Sequence, residues 1–260
     1  MRGTYVKTQR TRVTPDALRD ALSACLEKRG VRADAHTLTA LVAMSAHETG
    51  RWASCWNYNF GNVKASPSWS GQYICLNNVW EVLNGVTRWF SPRGETRGKG
   101  GLLIGPEYPV PPGHPQTRFR AYATLAEGVE SWAAKMATYG APGVVGYRQS
   151  LDVLLTGGST NAFLKSLKGQ RYFTGALVKY QASVRSYYRE FCGYADAADV
   201  RDVQTSLTRL GYDPGGADGI PGALTTGALV AFQSDRGIKA DGVANQATRG
   251  AINESLKRLT

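Results

Sequence analysis

Apolar residues recur at helical spacing in the first fifty positions and predict two helices there. In the first helix Thr14 has the position of an N-cap, Pro15 follows at the first helical position, and Gly30 stands after the last apolar residue. The second helix is predicted from Asp34 to Glu48. Its inward stripe consists of residues three, four and three positions apart: Leu38, Leu41, Ser45 and Glu48. Glu48 is therefore expected on the inward face of the helix.

A hairpin is predicted around Asn84-Gly85, because this dipeptide between apolar runs is a strong signal for a two-residue turn. The turn fixes which residues lie opposite one another: Leu83 and Val86, Glu81 and Arg88, Trp80 and Trp89. Arg88 is then the cationic neighbour expected to keep Glu81 ionised. Residues 91–117 are dense in glycine and proline and predict an irregular loop.

The following segments predict one short strand and then helices. The strand is expected at residues 118–122, directly before a capping box formed by Thr124 and Glu127. That box opens a helix, and further helices are predicted over residues 160–168 and 175–191. The fold class expected for this part is mainly α, of the α+β kind, with a small β-hairpin.

A change in composition predicts a second domain at the end of the chain. Residues 193–198 are mostly small or acidic, which is typical of a boundary. Beyond them "DGIPGALT" (218–225) is echoed 23 residues later by "DGVANQAT" (241–248), and two such copies predict a compact three-helix unit. We therefore expect two domains, residues 1–194 and residues 195–260.

Charge is divided unevenly between these two parts. The chain has 31 basic and 20 acidic residues. Residues 196–260 contain seven of the basic and eight of the acidic ones, a net charge of −1, so the rest of the chain has a net charge of +12. A cationic surface favours a polyanionic partner such as a cell-wall polymer. The basic residues are scattered and accompany no nucleic-acid-binding motif, so no nucleic-acid partner is expected.

Two targeting features are missing from the sequence. No apolar run of about 18 residues occurs, so stable insertion into a membrane is not expected. The basic amino terminus lacks the apolar stretch of a secretory signal. We therefore expect synthesis in the cytoplasm without a signal peptide.

The cysteines and histidines give little support for a disulfide scaffold or a metal site. Cys25, Cys55, Cys75 and Cys192 form no Cys-x-x-Cys pair, so free buried thiols are the main expectation. A Cys55–Cys75 bridge formed after release into an oxidising compartment stays open, since both flank a segment rich in aromatic residues. Arg51 stands where a zinc protease would have its second histidine. Neither a metal nor another cofactor is expected.

Glu48 is the strongest candidate for catalysis. Desolvation on the inward face would raise the pKa of its carboxyl group toward the range in which it donates a proton near neutral pH. A buried glutamate satisfied by hydrogen bonds is the alternative. Five of the six tryptophans lie between residues 52 and 89, among asparagines and glycines. Aromatic faces pack on sugar rings, so the cluster favours a glycan cleft, although core packing is the commoner role of a single tryptophan.

The end of the chain, residues 197–255, closely resembles the small helical peptidoglycan-binding module of many wall hydrolases. The matching segments are Leu-Gly-Tyr at 210–212, the Asp-Gly turns at 218 and 241, and Ala-Phe-Gln at 231–233. The resemblance implies that peptidoglycan is the partner. It also implies that Tyr212, Asp218 and Asp241 belong to a wall-binding module without chemistry of its own.

The front part resembles the N-acetylglucosaminidases of glycoside hydrolase family 73, within the lysozyme-like superfamily. Four segments carry the resemblance: "AHETG" (46–50), "NYNFGNVKA" (57–65), "RFRAYATLAEGVESWAAKM" (118–136) and "GQRYFTG" (169–175). It implies a lysozyme-like catalytic domain with Glu48 as general acid, Glu81 as the second carboxylate and Tyr172 as an active-site tyrosine. Glu95 and Glu107 compete with Glu81 for the second role. The residues expected at the substrate are Trp52, Trp56, Asn59, Phe60 and Tyr122.

Together these features predict a monomeric glycan hydrolase that resembles a bacteriophage endolysin. It would cleave a β-1,4 bond between GlcNAc and MurNAc, as an N-acetylglucosaminidase, and reach the wall in the periplasm after release at host lysis. A muramidase or a lytic transglycosylase acting on the same polymer remains an alternative. An inactive protein that only binds glycan is a further alternative.

Overall fold

The chain is mainly helical with a small β component, as predicted. The computed structural model describes residues 2–173 and 175–259. Met1, Thr260 and Thr174, the last of which belongs to the "GQRYFTG" segment, lie outside the described residues.

The chain forms two compact units, each built from two stretches of sequence. The first unit comprises Met1–Val13 and Glu48–Trp132, and the second comprises Thr14–His47 and Ala133–Thr260. Residues 195–260 thus share a unit with earlier helices, and the domain boundary expected at residues 194 and 195 stays a prediction.

Two small sheets form the β component of the first unit. Strands β1 (Thr4–Tyr5), β2 (Gln72–Cys75) and β7 (Arg118–Arg120) make a sheet in the order β1-β2-β7, with β1 parallel and β7 antiparallel to β2. The other sheet is antiparallel in the order β3-β4-β5-β6. Its strands are β3 (Val79–Leu83), β4 (Val86–Ser91), β5 (Gly94–Thr96) and β6 (Leu103–Ile104).

The hairpin of β3 and β4 has the predicted register. Leu83 lies opposite Val86, Glu81 opposite Arg88 and Trp80 opposite Trp89. Asn84 and Gly85 have φ angles of +52° and +78°, the two positive values that a type I′ turn requires. This confirms that the turn residues and the alternation together determined the pairing.

The prediction of an irregular loop over residues 91–117 was wrong for part of this range. β5 and β6 extend the hairpin within this range, and Pro115–Thr117 forms a 3₁₀ turn. The two strands have only three and two residues, which is too short for apolar alternation to appear. Apart from Gly94, which begins β5, the glycines and prolines of this range lie outside the strands.

Helix α3 (Leu125–Ala137) begins with the predicted capping box. The Thr124 hydroxyl accepts a hydrogen bond from the Glu127 amide at 3.2 Å, and the Glu127 carboxylate accepts one from the Ala123 amide at 2.9 Å. A side chain at Gly128 would collide with the carbonyl oxygen of Tyr58, since an added Cβ would lie 2.1 Å from it. The glycine therefore lets this helix pack directly on the loop that follows Glu48 in the chain.

The second unit is helical. Its helices are α1 (Pro15–Glu27), α2 (Ala35–Glu48, whose last residue counts with the first unit), α4 (Arg148–Leu155), α5 (Thr160–Gly169), α6 (Leu177–Phe191), α7 (Ala197–Arg209), α8 (Ala223–Asp235) and α9 (Gln246–Lys257). The Thr14 hydroxyl caps α1 by accepting from the Ala17 amide, as predicted. Helix α4 was not predicted, because eight residues between glycine-rich segments give too short a periodic pattern. None of the described helices has both the length and the apolar character that crossing a bilayer requires.

Candidate functional site

Glu48 is the last residue of α2, as predicted. Every residue of this helix from His36 to Ala46 is buried, and Glu48 itself is half-buried. The side-chain amide of Asn62 donates a hydrogen bond of 3.1 Å to the backbone carbonyl of Glu48. A packed helix whose end is bonded to the next loop holds its last residue in a defined position, which a catalytic side chain needs.

The backbone reverses sharply after Glu48. Gly50, Arg51 and Trp52 have φ angles of +54°, +54° and +62°, and for a residue as bulky as tryptophan this conformation is an outlier. The Thr49 hydroxyl accepts a hydrogen bond of 3.1 Å from the Trp52 amide and so closes the turn. Such a conformation costs about 1–3 kcal/mol per residue and is typical of functional sites.

The amino-terminal segment braces the loop that follows. The Asn57 side chain accepts a hydrogen bond of 2.8 Å from the Gln9 amide and donates one of 3.2 Å to the carbonyl of Lys7. The Thr11 hydroxyl accepts one of 2.8 Å from the Tyr58 amide. No sequence pattern indicated this role for residues 7–11, because the two partners are nearly 50 positions apart.

The first unit carries an open groove of about 800 Å³, which we call the tryptophan groove. Trp56, Trp80, Lys64 and Glu81 line it, and Trp80 is 57% exposed. Amide side chains line it as well: Asn62, Asn77 and Asn78. Exposed indole rings beside amide groups can pack on the apolar faces of sugars and bond their hydroxyl and acetamido groups. Asn62 also bonds the backbone carbonyl of Glu48, which is not itself among the described residues that line the groove.

The cationic partner of Glu81 is Lys64, and the prediction of Arg88 was wrong. Lys64 Nζ lies 2.7 Å from the Glu81 carboxylate. Arg88 instead donates from Nε to Glu95 at 2.6 Å and makes a second bond to the same carboxylate. Glu95 is on β5, in the range expected to be irregular, so its pairing with Arg88 could not be predicted.

Lys64 is held from three sides. Besides Glu81, the Gln116 carbonyl accepts a hydrogen bond from it, and the ammonium group lies 4.3 Å from the centre of the Phe119 ring. Burial lowers the pKa of Lys64, and the hydrogen bond to Glu81 opposes this shift. These three contacts hold the Lys64 ammonium group next to the Glu81 carboxylate in the groove.

The two other candidates for the second carboxylate are bound elsewhere. Glu95 is engaged by Arg88, and Glu107 is paired with Arg93. Among the described residues that line the tryptophan groove, Glu81 is the only acidic one. This favours Glu81 over both competitors.

The residues expected at the substrate fall into different layers. Trp56 lines the groove, with the Arg10 guanidinium 5.6 Å from its ring centre. Trp52 is only 6% exposed and Phe60 is fully buried. The buried amide of Asn59 donates to two backbone carbonyls, both at 2.9 Å. Trp52, Asn59 and Phe60 thus support the surface from beneath.

Neither Tyr122 nor Tyr172 is among the described residues that line the tryptophan groove. Tyr122 lines a separate cavity of about 310 Å³, and its hydroxyl lies 2.6 Å from the Ser131 hydroxyl. Tyr172 belongs to the second unit, where its ring meets the Tyr147 ring edge-on at 4.8 Å. Of the three predicted catalytic residues, Glu48 and Glu81 therefore share one unit and Tyr172 belongs to the other.

The two echoed turns near the end of the chain are built around buried glutamines. Gln204 donates to Asp218 at 2.9 Å and to Thr225 at 3.0 Å, and its side-chain carbonyl accepts from the Gly219 amide at 2.9 Å. Gln233 makes the same contacts in the second turn, with Asp241 at 3.3 Å, Thr248 at 2.9 Å and the Gly242 amide at 2.8 Å. The sequence repeat is thus a repeat of one hydrogen-bond network.

The three residues assigned to wall binding have internal partners. Asp218 and Asp241 each accept a backbone amide two residues later, from Ile220 at 2.8 Å and from Val243 at 3.0 Å. The bond from Gln204 is the main cause that lowers the pKa of Asp218. The Tyr212 hydroxyl donates to Asp235 at 2.7 Å. These contacts show that the two aspartates and Tyr212 stabilise the module.

All four cysteines are free, buried thiols, so Cys55 and Cys75 are not bridged. Burial raises the pKa of Cys55 to about 11 and that of Cys192 to about 12. Such thiols are poor nucleophiles and poor metal ligands. Within residues 2–173 and 175–259, no group of three or more His, Cys, Asp and Glu side chains is arranged to hold a metal ion.

Comparison with known proteins identifies the end of the chain. Residues 196–252 match the family model of the peptidoglycan binding domain. No curated protein and no solved structure matches the chain. A domain of this family only binds, and it often accompanies peptidoglycan hydrolases. The chain therefore contains a peptidoglycan-binding domain, and peptidoglycan is its partner at the cell wall.

Proposed function

We propose that the protein is a peptidoglycan hydrolase that cleaves a β-1,4 bond between GlcNAc and MurNAc, as an N-acetylglucosaminidase. The observation that carries this proposal is the Glu81–Lys64 pair in a groove lined by tryptophan and asparagine. The peptidoglycan-binding domain of the same chain supports peptidoglycan as the polymer that is cleaved. Residues 1–194 are the proposed catalytic domain, of lysozyme-like fold.

The proposed mechanism uses two carboxyl groups in different environments. Glu48, half-buried at a helix end, donates a proton to the departing glycosidic oxygen. Glu81, paired with Lys64, is the anion that activates water or stabilises the oxocarbenium-like transition state. Trp56 and Trp80, which line the tryptophan groove, stack on sugars. The role of Tyr172 as an active-site tyrosine stays a prediction.

The proposed setting is lysis of a bacterial cell by an endolysin. The protein would act as a monomer on the wall in the periplasm, after release from the cytoplasm. The cationic excess of residues 1–195 supports contact with anionic wall polymers.

Product analysis tests the proposed bond. Purified peptidoglycan is digested, reduced with borohydride and analysed by mass spectrometry. We expect reduced GlcNAc ends, since an N-acetylglucosaminidase leaves GlcNAc at the new reducing end. Reduced MurNAc ends would identify a muramidase, and anhydro-MurNAc ends would identify a lytic transglycosylase. If no new ends appear, the protein only binds peptidoglycan.

Replacing Glu81 with glutamine should lower glycan cleavage about 10- to 100-fold, because the anion facing the sugar is lost. The rate of reducing-end release measures it. Glu107→Gln is the matched control, since it also removes one carboxylate from an ion pair on the same unit but lies outside the groove. Equal rates for the native protein and Glu81→Gln would remove Glu81 from the mechanism.

A further inference from the structure

The second unit contains a partly open cavity of about 330 Å³, which we call the arginine cavity. One wall belongs to the peptidoglycan-binding domain, at Ala197 and residues 219–222. The opposite wall comes from the start of α5 and from α6, helices that precede this domain in the chain. The cavity is therefore a composite of the domain and the helices before it.

Two arginines of α6 line this cavity. Arg185 and Arg189 are four residues apart and so lie on one face of the helix, where like charges repel. In the described part of the chain, neither guanidinium group has a hydrogen bond or an ion pair with another residue. Two uncompensated guanidinium groups facing one cavity favour an anion, and their planar forks match the two oxygens of a carboxylate.

The backbone of the opposite wall adds donors to the same space. Helix α8 has 13 residues and begins at the cavity, with Gly222 as its N-cap. Gly222 has no side chain to bond the first-turn amides. Those amides therefore remain able to donate to a bound carboxylate, in addition to the arginines.

The rest of the lining mixes polar and apolar side chains. Ser159, Thr160, Asn161 and Ser186 are its polar members. Ile220, which is 58% exposed, and Pro221 face the cavity from the domain, while Ala182 does so from α6. A volume of about 330 Å³ is at the lower end of the range for small-molecule sites. It fits two or three amino acids with small side chains and excludes a folded partner.

We propose that the arginine cavity binds the carboxylate-bearing end of the short stem peptide of peptidoglycan. Sugars of the glycan strand are mostly neutral, whereas stem peptides combine free carboxylates with alanine methyl groups, which match the arginines and the apolar wall. This proposal rests on the peptidoglycan-binding domain and is independent of glycan cleavage. The helices before the domain thereby take part in holding the wall.

The test is calorimetric titration of the full-length protein with a free stem tetrapeptide. We expect the Arg185→Gln/Arg189→Gln double variant to bind it 10- to 100-fold more weakly than the native protein. The same peptide with its carboxylates amidated should bind the native protein with a similar loss, and inorganic phosphate alone should bind more weakly than the tetrapeptide. Lys179→Gln, which removes an exposed charge from the same helix outside the cavity, should leave affinity unchanged.

Several results would overturn the proposal: no binding of the tetrapeptide by the native protein, equal binding by the double variant, equal binding of the amidated peptide, or tighter binding of phosphate. Arg185→Lys distinguishes loss of the binding group from misfolding. It keeps the positive charge but not the planar fork, so its affinity for the tetrapeptide should lie between those of the native protein and the double variant. The probe has no glycosidic bond, so a failure here and a failure of glycan cleavage are distinguishable.

Discussion

Replacing Glu48 with glutamine should lower the rate of glycan cleavage about 100- to 10,000-fold, the range expected for loss of a general acid. The amide has nearly the same shape as the carboxyl group but has no proton to give to the departing oxygen. The rate of reducing-end release from purified peptidoglycan measures the effect. Sedimentation of the variant with insoluble walls should be unchanged, because the peptidoglycan-binding domain is intact.

The matched control for this substitution is Glu27→Gln. Glu27 is the last residue of α1, as Glu48 is the last residue of α2, so both changes remove one carboxylate from a helix end. Glu27 is exposed and accepts a hydrogen bond of 3.1 Å from Ser23. We expect native activity from it. Unreduced cleavage by Glu48→Gln would remove the proposed acid from the mechanism.

Features that depend on neighbouring residues were predictable from the sequence. The cap at Thr14, the capping box at Thr124 and the hairpin at Asn84-Gly85 all have the predicted bonds or register. Each is determined by residue types within a few positions, so no knowledge of tertiary structure was needed.

Partners distant in sequence were not predictable. Lys64 reaches Glu81 across 17 positions, and Gln9 reaches Asn57 across 48. The opposite-strand rule correctly put Arg88 beside Glu81 but could not show that Glu95 on the next strand would engage it. The candidate site was therefore predicted in its residue types, while its charge pairing was decided by tertiary structure.

The glutamines of the terminal domain illustrate the same limit. A buried glutamine looks like an ordinary polar residue in a helix. Gln204 precedes its Asp-Gly turn by 14 positions and Gln233 by 8, so the spacing does not relate them either. In the structure both are buried, at 1% and 0% exposure, and both are fully bonded. Their networks explain why the repeat keeps an aspartate, a glycine and a threonine in each turn.

Replacing Gln233 with leucine should lower the free energy of unfolding by about 3 kcal/mol, since a buried, fully bonded amide is removed and its partners lose their bonds. The Gly242 amide would be left without the acceptor it now has at 2.8 Å, and the Thr248 hydroxyl would lose a bond of 2.9 Å. Urea unfolding followed by circular dichroism measures the loss. Retention on insoluble walls should fall with it, because the second Asp-Gly turn holds α8 and α9 together.

Two further substitutions make this result specific to the network. Gln204→Leu should cost a similar amount, since Gln204 makes the equivalent bonds in the first turn. Gln246→Leu, an exposed glutamine at the start of α9, should change stability by less than about 0.5 kcal/mol. If Gln233→Leu were as stable as Gln246→Leu, the paired networks would not be what stabilises the domain. If only one of the two substitutions lowered the free energy of unfolding, the two turns would have the same hydrogen bonds but would contribute unequally to stability.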